Sequence, residues 1–191
     1  LGNISQLTVD MYQESLSRNP NDPTTYFRLG NVYLDQAERL QKAAGATIGN
    51  DELRNVILGL LTEAEESYKK SISLYGNHGQ ALYNLAVVYE KRGELDRAIK
   101  QFEQLAIANP ADPSFVFQLG LLYYRSGLKE DAFKAWQRAV ALFPQYSNAR
   151  WYLSLVYEEK GDLANALIQL EEIEKFIAEH ILKTKKLLQN S

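Results

Sequence analysis

The sequence predicts an all-α fold, a solenoid of antiparallel helix pairs carrying one elongated helical hairpin, and three observations predict it. First, residue types return every 34 positions: Leu85, Leu119 and Leu153; Tyr89, Tyr123 and Tyr157; Gly93, Gly127 and Gly161; Ala98, Ala132 and Ala166. Second, each unit holds two short amphipathic segments, and a single pair cannot bury its apolar faces without stacking on a neighbour. Third, the stretch LQKAAGATIGNDELRNVILGLL, residues 40–61, interrupts that frame.

Within a unit the elements follow from local chemistry. The glycine ends the first helix because positive φ is easy there, and Pro110 or Pro144 ends the second. The small alanine lets the two helix backbones approach closely, while the Leu and Tyr rungs of the first helix face the second.

This spacing, with its Leu-Gly/Ala-x-x-Tyr core, its Gly, its Ala and its terminal Pro, resembles the tetratricopeptide repeat over nearly the whole chain. The resemblance implies a right-handed superhelix. The frame divides the chain into residues 1–22, the second helix of an incomplete upstream repeat with Thr8, Tyr12, Ser15 and Pro20 in place, and a repeat at 23–78 with Tyr26, Leu29, Gly30 and Tyr33. Three repeats of ordinary length follow at 79–112, 113–146 and 147–180, then a C-terminal extension or cap at 181–191. Leu1 is not an initiator methionine and a first helix is missing, so the natural protein is expected to continue upstream.

The interruption lies in the repeat at 23–78, where the small residue of the second helix, Ala64, arrives 22 positions late. Both flanks are good helix formers, with GATIG as the turn, Asn50 as N-cap and Asp51 and Glu52 in the first turn. The spacing predicts a hairpin elongated over about 37–63, each helix roughly three turns longer than its counterparts. Leu53, Val56, Ile57, Leu60, Leu61 and Ala64 form a broad apolar face on the incoming helix, against Ala37, Leu40, Ala43 and Ala44 on the outgoing one. The surplus either packs against the hairpin's own neighbours or is available to an upstream domain, to a second copy of the chain or to another protein. Leu53, Val56, Ile57 and Leu60 are the candidate residues of that secondary interface. Gly45 and Gly49 do not make a phosphate loop, because no Lys-Ser/Thr follows and no strand precedes.

In tetratricopeptide arrays, the resemblance implies, the first helices line a concave groove. Their fifth, ninth and twelfth positions share one helix face. Here they read Phe27, Asn31 and Leu34; Tyr83, Val87 and Glu90; Phe117, Leu121 and Tyr124; Trp151, Leu155 and Glu158. An aromatic recurs at the fifth place, and Val87, Leu121 and Leu155 stand where the family favours Asn. The partner-binding candidates are therefore Phe27, Asn31, Leu34, Tyr83, Val87, Phe117, Leu121, Tyr124, Arg125, Trp151 and Leu155, suited to an apolar peptide or helix. Asp35, Lys91, Arg125 and Glu159 would form a mixed-charge rim. Asn31 and Asn84 match the asparagines with which some family members grip a C-terminal carboxylate, but Phe27, Ser114 and Gln118 replace the basic residues of that clamp.

The C-terminal end lacks Gly and Pro from Asp162 to Leu188, and Ala178 stands where the unit's proline belongs. One long helix carrying Leu170, Ile173, Ile177, Ile181 and Leu188 on a stripe, and a break near Ala178 into a separate cap, both fit. Lys183, Lys185 and Lys186 near its end make either a solvated face or a contact for anionic groups.

Composition excludes more than it identifies. A formal net charge of -3 with interspersed signs gives no field to hold a phosphate backbone, so nucleic acid is not the expected partner. Without cysteine there is no disulfide framework or thiolate site. No apolar run reaches the roughly 20 residues that span a bilayer, so direct membrane insertion is not expected, and the compartment stays open between cytoplasm and bacterial envelope. The two histidines, His78 and His180, lie in different units without a ligand-type partner at zinc-site spacing. No cofactor, metal or catalytic residue is predicted; the expected function is a non-catalytic scaffold that binds a protein or peptide, with a structural or oligomerisation module of a larger protein, membrane-attached or not, as the alternative.

Overall fold

A computed structural model of the 191-residue chain describes residues 2–44, 51–76 and 78–189. The described residues form nine helices and no strand: α1 (Gly2–Arg18), α2 (Pro23–Ala44), α3 (Asp51–Tyr75), α4 (Gly79–Lys91), α5 (Leu95–Ala108), α6 (Pro113–Arg125), α7 (Lys129–Leu142), α8 (Ser147–Glu159) and α9 (Leu163–Gln189). They divide into two compact units, one of residues 1–101 and one of residues 102–191. None of the described helices is long and apolar enough to cross a membrane.

Helix starts and stops have identifiable causes. The Asp22 carboxylate accepts from the Thr24 backbone N–H at 3.0 Å and from the Thr25 hydroxyl, and the Thr25 bond holds its carboxyl below the usual range. Asp112 caps α6 in the same way, accepting from Ser114 N–H at 2.8 Å with Pro113 already in the helix. Such a cap stabilises by about 1 kcal/mol. At the other end, Gly93, Gly127 and Gly161 have φ of 78°, 79° and 74°, which a side chain would strain. The next residue's N–H then turns back to a helix carbonyl, as Glu94 does to Tyr89 at 2.9 Å and Leu128 to Tyr123 at 2.8 Å.

In the first unit α2 packs along α3, and α4 packs on α3; α1 lies against α2. The pair α2 and α3 has 22 and 25 residues, where α4 to α8 have 13 or 14. The turn at Gly45 to Gly49 and the cap at Asn50 lie outside the described residues. Ala37, Leu61 and Ala64 are fully buried and Ile57 nearly so, which makes this the seam of the hairpin. Glu65, one residue beyond Ala64, is a buried carboxylate that accepts from Lys69 at 2.7 Å, from Arg97 at 2.8 Å and from Arg92 at 2.5 Å. Arg97 also lies 3.9 Å over the Tyr89 ring, so helix α3 is clasped to the end of α4 and the start of α5. Burial works to raise the Glu65 pKa, but the bonds from Lys69 and Arg97 outweigh it and hold the carboxyl below its ordinary value.

In the second unit α6 packs on α7, α7 on α8 and α8 on α9. The large buried side chain is Trp136 of α7, and it lies against α6 only because position 120 is glycine: a Cβ there would come within 2.2 Å of Trp136 Nε1. The first unit repeats the device with Gly30 and Tyr68, where the Cβ would meet the ring at 2.7 Å. Helix α9 continues unbroken through Ala178 to Gln189, so the chain does not break near Ala178 into a second helix.

Candidate functional site

The candidate positions of the first unit lie on α2 and α4. Leu34 is buried, and Phe27, Tyr83 and Val87 are half-buried. The Phe27 ring meets His78 edge-on at 4.6 Å and Tyr68 at 6.0 Å. Asn31 is engaged: its Oδ1 accepts from the Tyr68 hydroxyl and from Asn84 Nδ2, each at 2.8 Å. The two asparagines of the carboxylate-clamp places are thus bonded to one another through Asn31. Burial raises the pKa of the Tyr68 hydroxyl far above the ordinary tyrosine value, which keeps it a neutral donor in this network. At the edge, Lys91 of α4 pairs with Glu38 of α2 at 2.9 Å, and Asp35 with Arg39 at 2.8 Å.

One contact in this unit has the outline of a nucleophile and its base: Ser71 Oγ lies 3.0 Å from His78 Nδ1. The hydroxyl, however, donates its one proton to the Pro23 carbonyl at 2.8 Å. The imidazole therefore donates to Ser71 rather than withdrawing a proton from it, and Ser71 is fully buried. The pair ties the start of α2 to the start of α4. Among the described residues no group of three or more His, Asp or Glu is placed to hold a metal ion.

The candidate positions of the second unit lie on α6 and α8, and they differ in what they expose. Phe117 is buried under the rings of Tyr146, at 5.1 Å, and Tyr152, at 5.8 Å. Leu121 is half-buried. Tyr124, Trp151 and Leu155 are open, at 37%, 51% and 37% exposure. Beside them is a cavity of about 40 Å³ lined by Tyr124, Trp136, Tyr152, Leu155, Val156 and Glu159. Its floor is rigid: Trp136 stacks on Tyr152 at 4.8 Å and Tyr124 leans on Trp136 at 5.8 Å. Glu159 closes one side, accepting from Lys129 at 2.8 Å and from the Tyr124 hydroxyl at 3.2 Å, bonds that hold its carboxyl below the ordinary range. Arg125 is exposed next to Tyr124.

Three members of this cavity, Trp136, Tyr152 and Val156, escape a reading confined to the first-helix face. No spacing in the sequence singled out Trp136, whose ring is seated on the bare backbone of Gly120 in the neighbouring helix. The arrangement offers an apolar wall, a shallow hole of the size of a small alkyl group, and a fixed carboxylate at its rim.

The secondary candidates on the elongated hairpin divide as well. Ile57 is buried, Leu53 and Leu60 are half-buried, and Val56 is 49% exposed.

Comparison with known proteins places these features in context. The tetratricopeptide repeat family model matches residues 58–113 and 117–178, more than half of the chain. The photosystem I assembly protein Ycf3 of a Prochlorococcus marinus strain is 32% identical over 103 residues, which are 45% of this chain and 60% of that protein. Anaphase-promoting complex subunit 3 of Schizosaccharomyces pombe is 30% identical over 172 residues, 84% of this chain and 26% of that protein. The chain thus spans 60% of the first of these relatives and 26% of the second. Among solved structures, MamA is similar with a TM-score of 0.67 at 24% identity, covering 93% of this chain and 89% of that one. MamA of Desulfovibrio magneticus RS-1 is similar with a TM-score of 0.62 at 22% identity, covering 92% of this chain and 96% of that one. At such identity the likeness speaks for the fold alone.

Proposed function

Because the chain belongs to the tetratricopeptide repeat family, we propose that it is a non-catalytic scaffold that holds a peptide or helix of a protein partner, anchored on the α6 and α8 face of the second unit. The observation that carries this reading is Trp151, half exposed beside a preformed cavity whose walls are Tyr124 and Leu155. An exposed tryptophan on a rigid helix offers large contact area at little cost in conformational entropy, and such residues dominate binding energy at interfaces. One aliphatic side chain of the partner enters the cavity, and the partner's backbone runs past Trp151. Phe27, Tyr83 and Val87 of the first unit supply a further half-open apolar face. The names of the curated relatives, an assembly protein for photosystem I and a subunit of the anaphase-promoting complex, describe work in multiprotein assemblies and support a scaffold here.

The test uses peptides selected from a random display library on the whole chain, with affinities measured by fluorescence anisotropy. Trp151→Ala is expected to weaken binding about tenfold or more, equivalent to at least ~1.4 kcal/mol. Selected peptides that bind the variant as tightly as the parent would place the site elsewhere.

A further inference from the structure

The cavity formed by α6, α7 and α8 has one charged group in its lining, the Glu159 carboxylate; the rest of the lining is Tyr124, Trp136, Tyr152, Leu155 and Val156. Aromatic walls with a fixed anion at the rim favour a cation on an alkyl stem. This chain holds its own cations that way. Arg97 lies 3.9 Å over the Tyr89 ring and donates to Glu65 at 2.8 Å. Lys160 lies 4.3 Å over the Phe133 ring and pairs with Glu130 at 2.9 Å.

At the cavity the same chemistry is only half used. Lys129, from the start of α7, pairs with Glu159 at 2.8 Å and reaches the Tyr124 ring at 5.7 Å, but it is not among the residues that line the hole. The two side chains keep 59% and 45% of their surface exposed. An ion pair so open to water and salt is held weakly enough for another cation to take its place. Glu159 itself stays put, because the Tyr124 hydroxyl donates to it at 3.2 Å.

Charge selects the occupant among side chains of suitable size. An incoming carboxylate would meet Glu159, like against like. A leucine or methionine fits the apolar walls but strips water from the Glu159 carboxylate without offering a donor in return. A lysine supplies both parts, methylene groups for Tyr124, Tyr152 and Leu155 and an ammonium for Glu159. On the reading that a partner segment passes over Trp151, we infer that the side chain it lowers into the cavity is a lysine, whose ammonium takes the place of Lys129 at Glu159. Lys129 is then a built-in competitor, released as the partner binds.

The experiment uses the whole chain and the library-selected peptides, with affinities read by fluorescence anisotropy. Peptides whose binding falls on Trp151→Ala are expected to share a lysine at one position. Norleucine there, which keeps the stem and drops the charge, is expected to weaken binding at least about tenfold. On Glu159→Gln the lysine and norleucine peptides are expected to bind within about twofold of each other. Lys129→Ala removes the competitor and is expected to tighten the lysine peptide about threefold while leaving the norleucine peptide unchanged. Both substitutions alter exposed side chains, so helical circular dichroism is expected to match the parent. Trp151-dependent peptides that share no lysine, or whose norleucine forms bind as tightly, would overturn the inference and leave the docking face standing. So would a Lys129→Ala chain that binds the lysine peptide no better than the parent. If no selected peptide responds to Trp151→Ala, the docking face itself falls, and the lysine with it.

Discussion

In the first unit the aligned face of α2 and α4 spends its polar groups on itself: Asn31 bonds both Tyr68 and Asn84, Leu34 is buried, and Phe27 is roofed by His78. In the second unit the same positions on α6 and α8 end in Tyr124, Trp151 and Leu155, all open, beside a cavity with a rigid aromatic floor. The difference teaches that equivalent places in a repeat are not equivalent surfaces. What covers the fifth position comes from the link that ends the unit and from the helix after it: His78 lies over Phe27, and Tyr146 and Tyr152 over Phe117. Trp151 has no such roof among the described residues.

The comparison can be broken at its foundations first. Gly120→Ala drives a Cβ into Trp136, which is fully buried and stacked, so the ring or the helix must shift. Overpacking of this kind costs about 1–3 kcal/mol, and the loss is expected near the upper end, read as a lower urea midpoint. Gly30→Ala, with 2.7 Å of clearance from the Tyr68 ring, is expected to cost less than Gly120→Ala. Equal losses would show that the two rings are not seated alike on bare backbone.

The next effect belongs to the first unit alone. Glu65→Gln removes the charge that Lys69, Arg92 and Arg97 share, and is expected to destabilise by about 2 kcal/mol at pH 7. The Glu65 carboxyl is held below its unfolded value, so it stabilises the fold above roughly pH 4.3 and that contribution fades as pH falls through the folded pKa. Parent and variant are therefore expected to converge in acid, checked by urea unfolding at pH 7 and at pH 3. A constant gap between them would remove the ion cluster as the cause.

Smaller still is Asn31→Ala, which leaves the Tyr68 hydroxyl and Asn84 without their shared acceptor and is expected to cost about 1 kcal/mol. Trp151→Ala stands at the other extreme. A half-exposed side chain away from the core is expected to change stability by less than about 0.5 kcal/mol while lowering peptide affinity. A large loss of stability in that variant would recast Trp151 as packing.

Much of the fold is legible in the residue order because its causes are local. Gly93, Gly127 and Gly161 announce helix ends through backbone freedom, Ala64, Ala98, Ala132 and Ala166 announce close helix approach, and the late arrival of Ala64 announces the long hairpin. The fate of the fifth-position aromatics is not local. Phe117 and Trp151 are the same kind of residue at the same place, yet one is buried and the other open, because the rings over Phe117, those of Tyr146 and Tyr152, are brought there from far along the chain. The continuity of α9 past Ala178 was open for a similar reason: lack of Gly or Pro permits a long helix without requiring one. Asn31 shows a third case: the repeat frame set it and Asn84 at matching places, but not that the two, 53 positions apart, would be bonded to each other.

The two tryptophans make the central claim measurable. Trp136→Phe leaves Trp151 as the one indole, half exposed, and acrylamide quenching then reports its contact with solvent directly. Binding of a library-selected peptide is expected to reduce the quenching constant at least about twofold, as its backbone passes over the ring. A peptide that binds with full affinity while leaving the quenching of Trp151 unchanged would contradict the account.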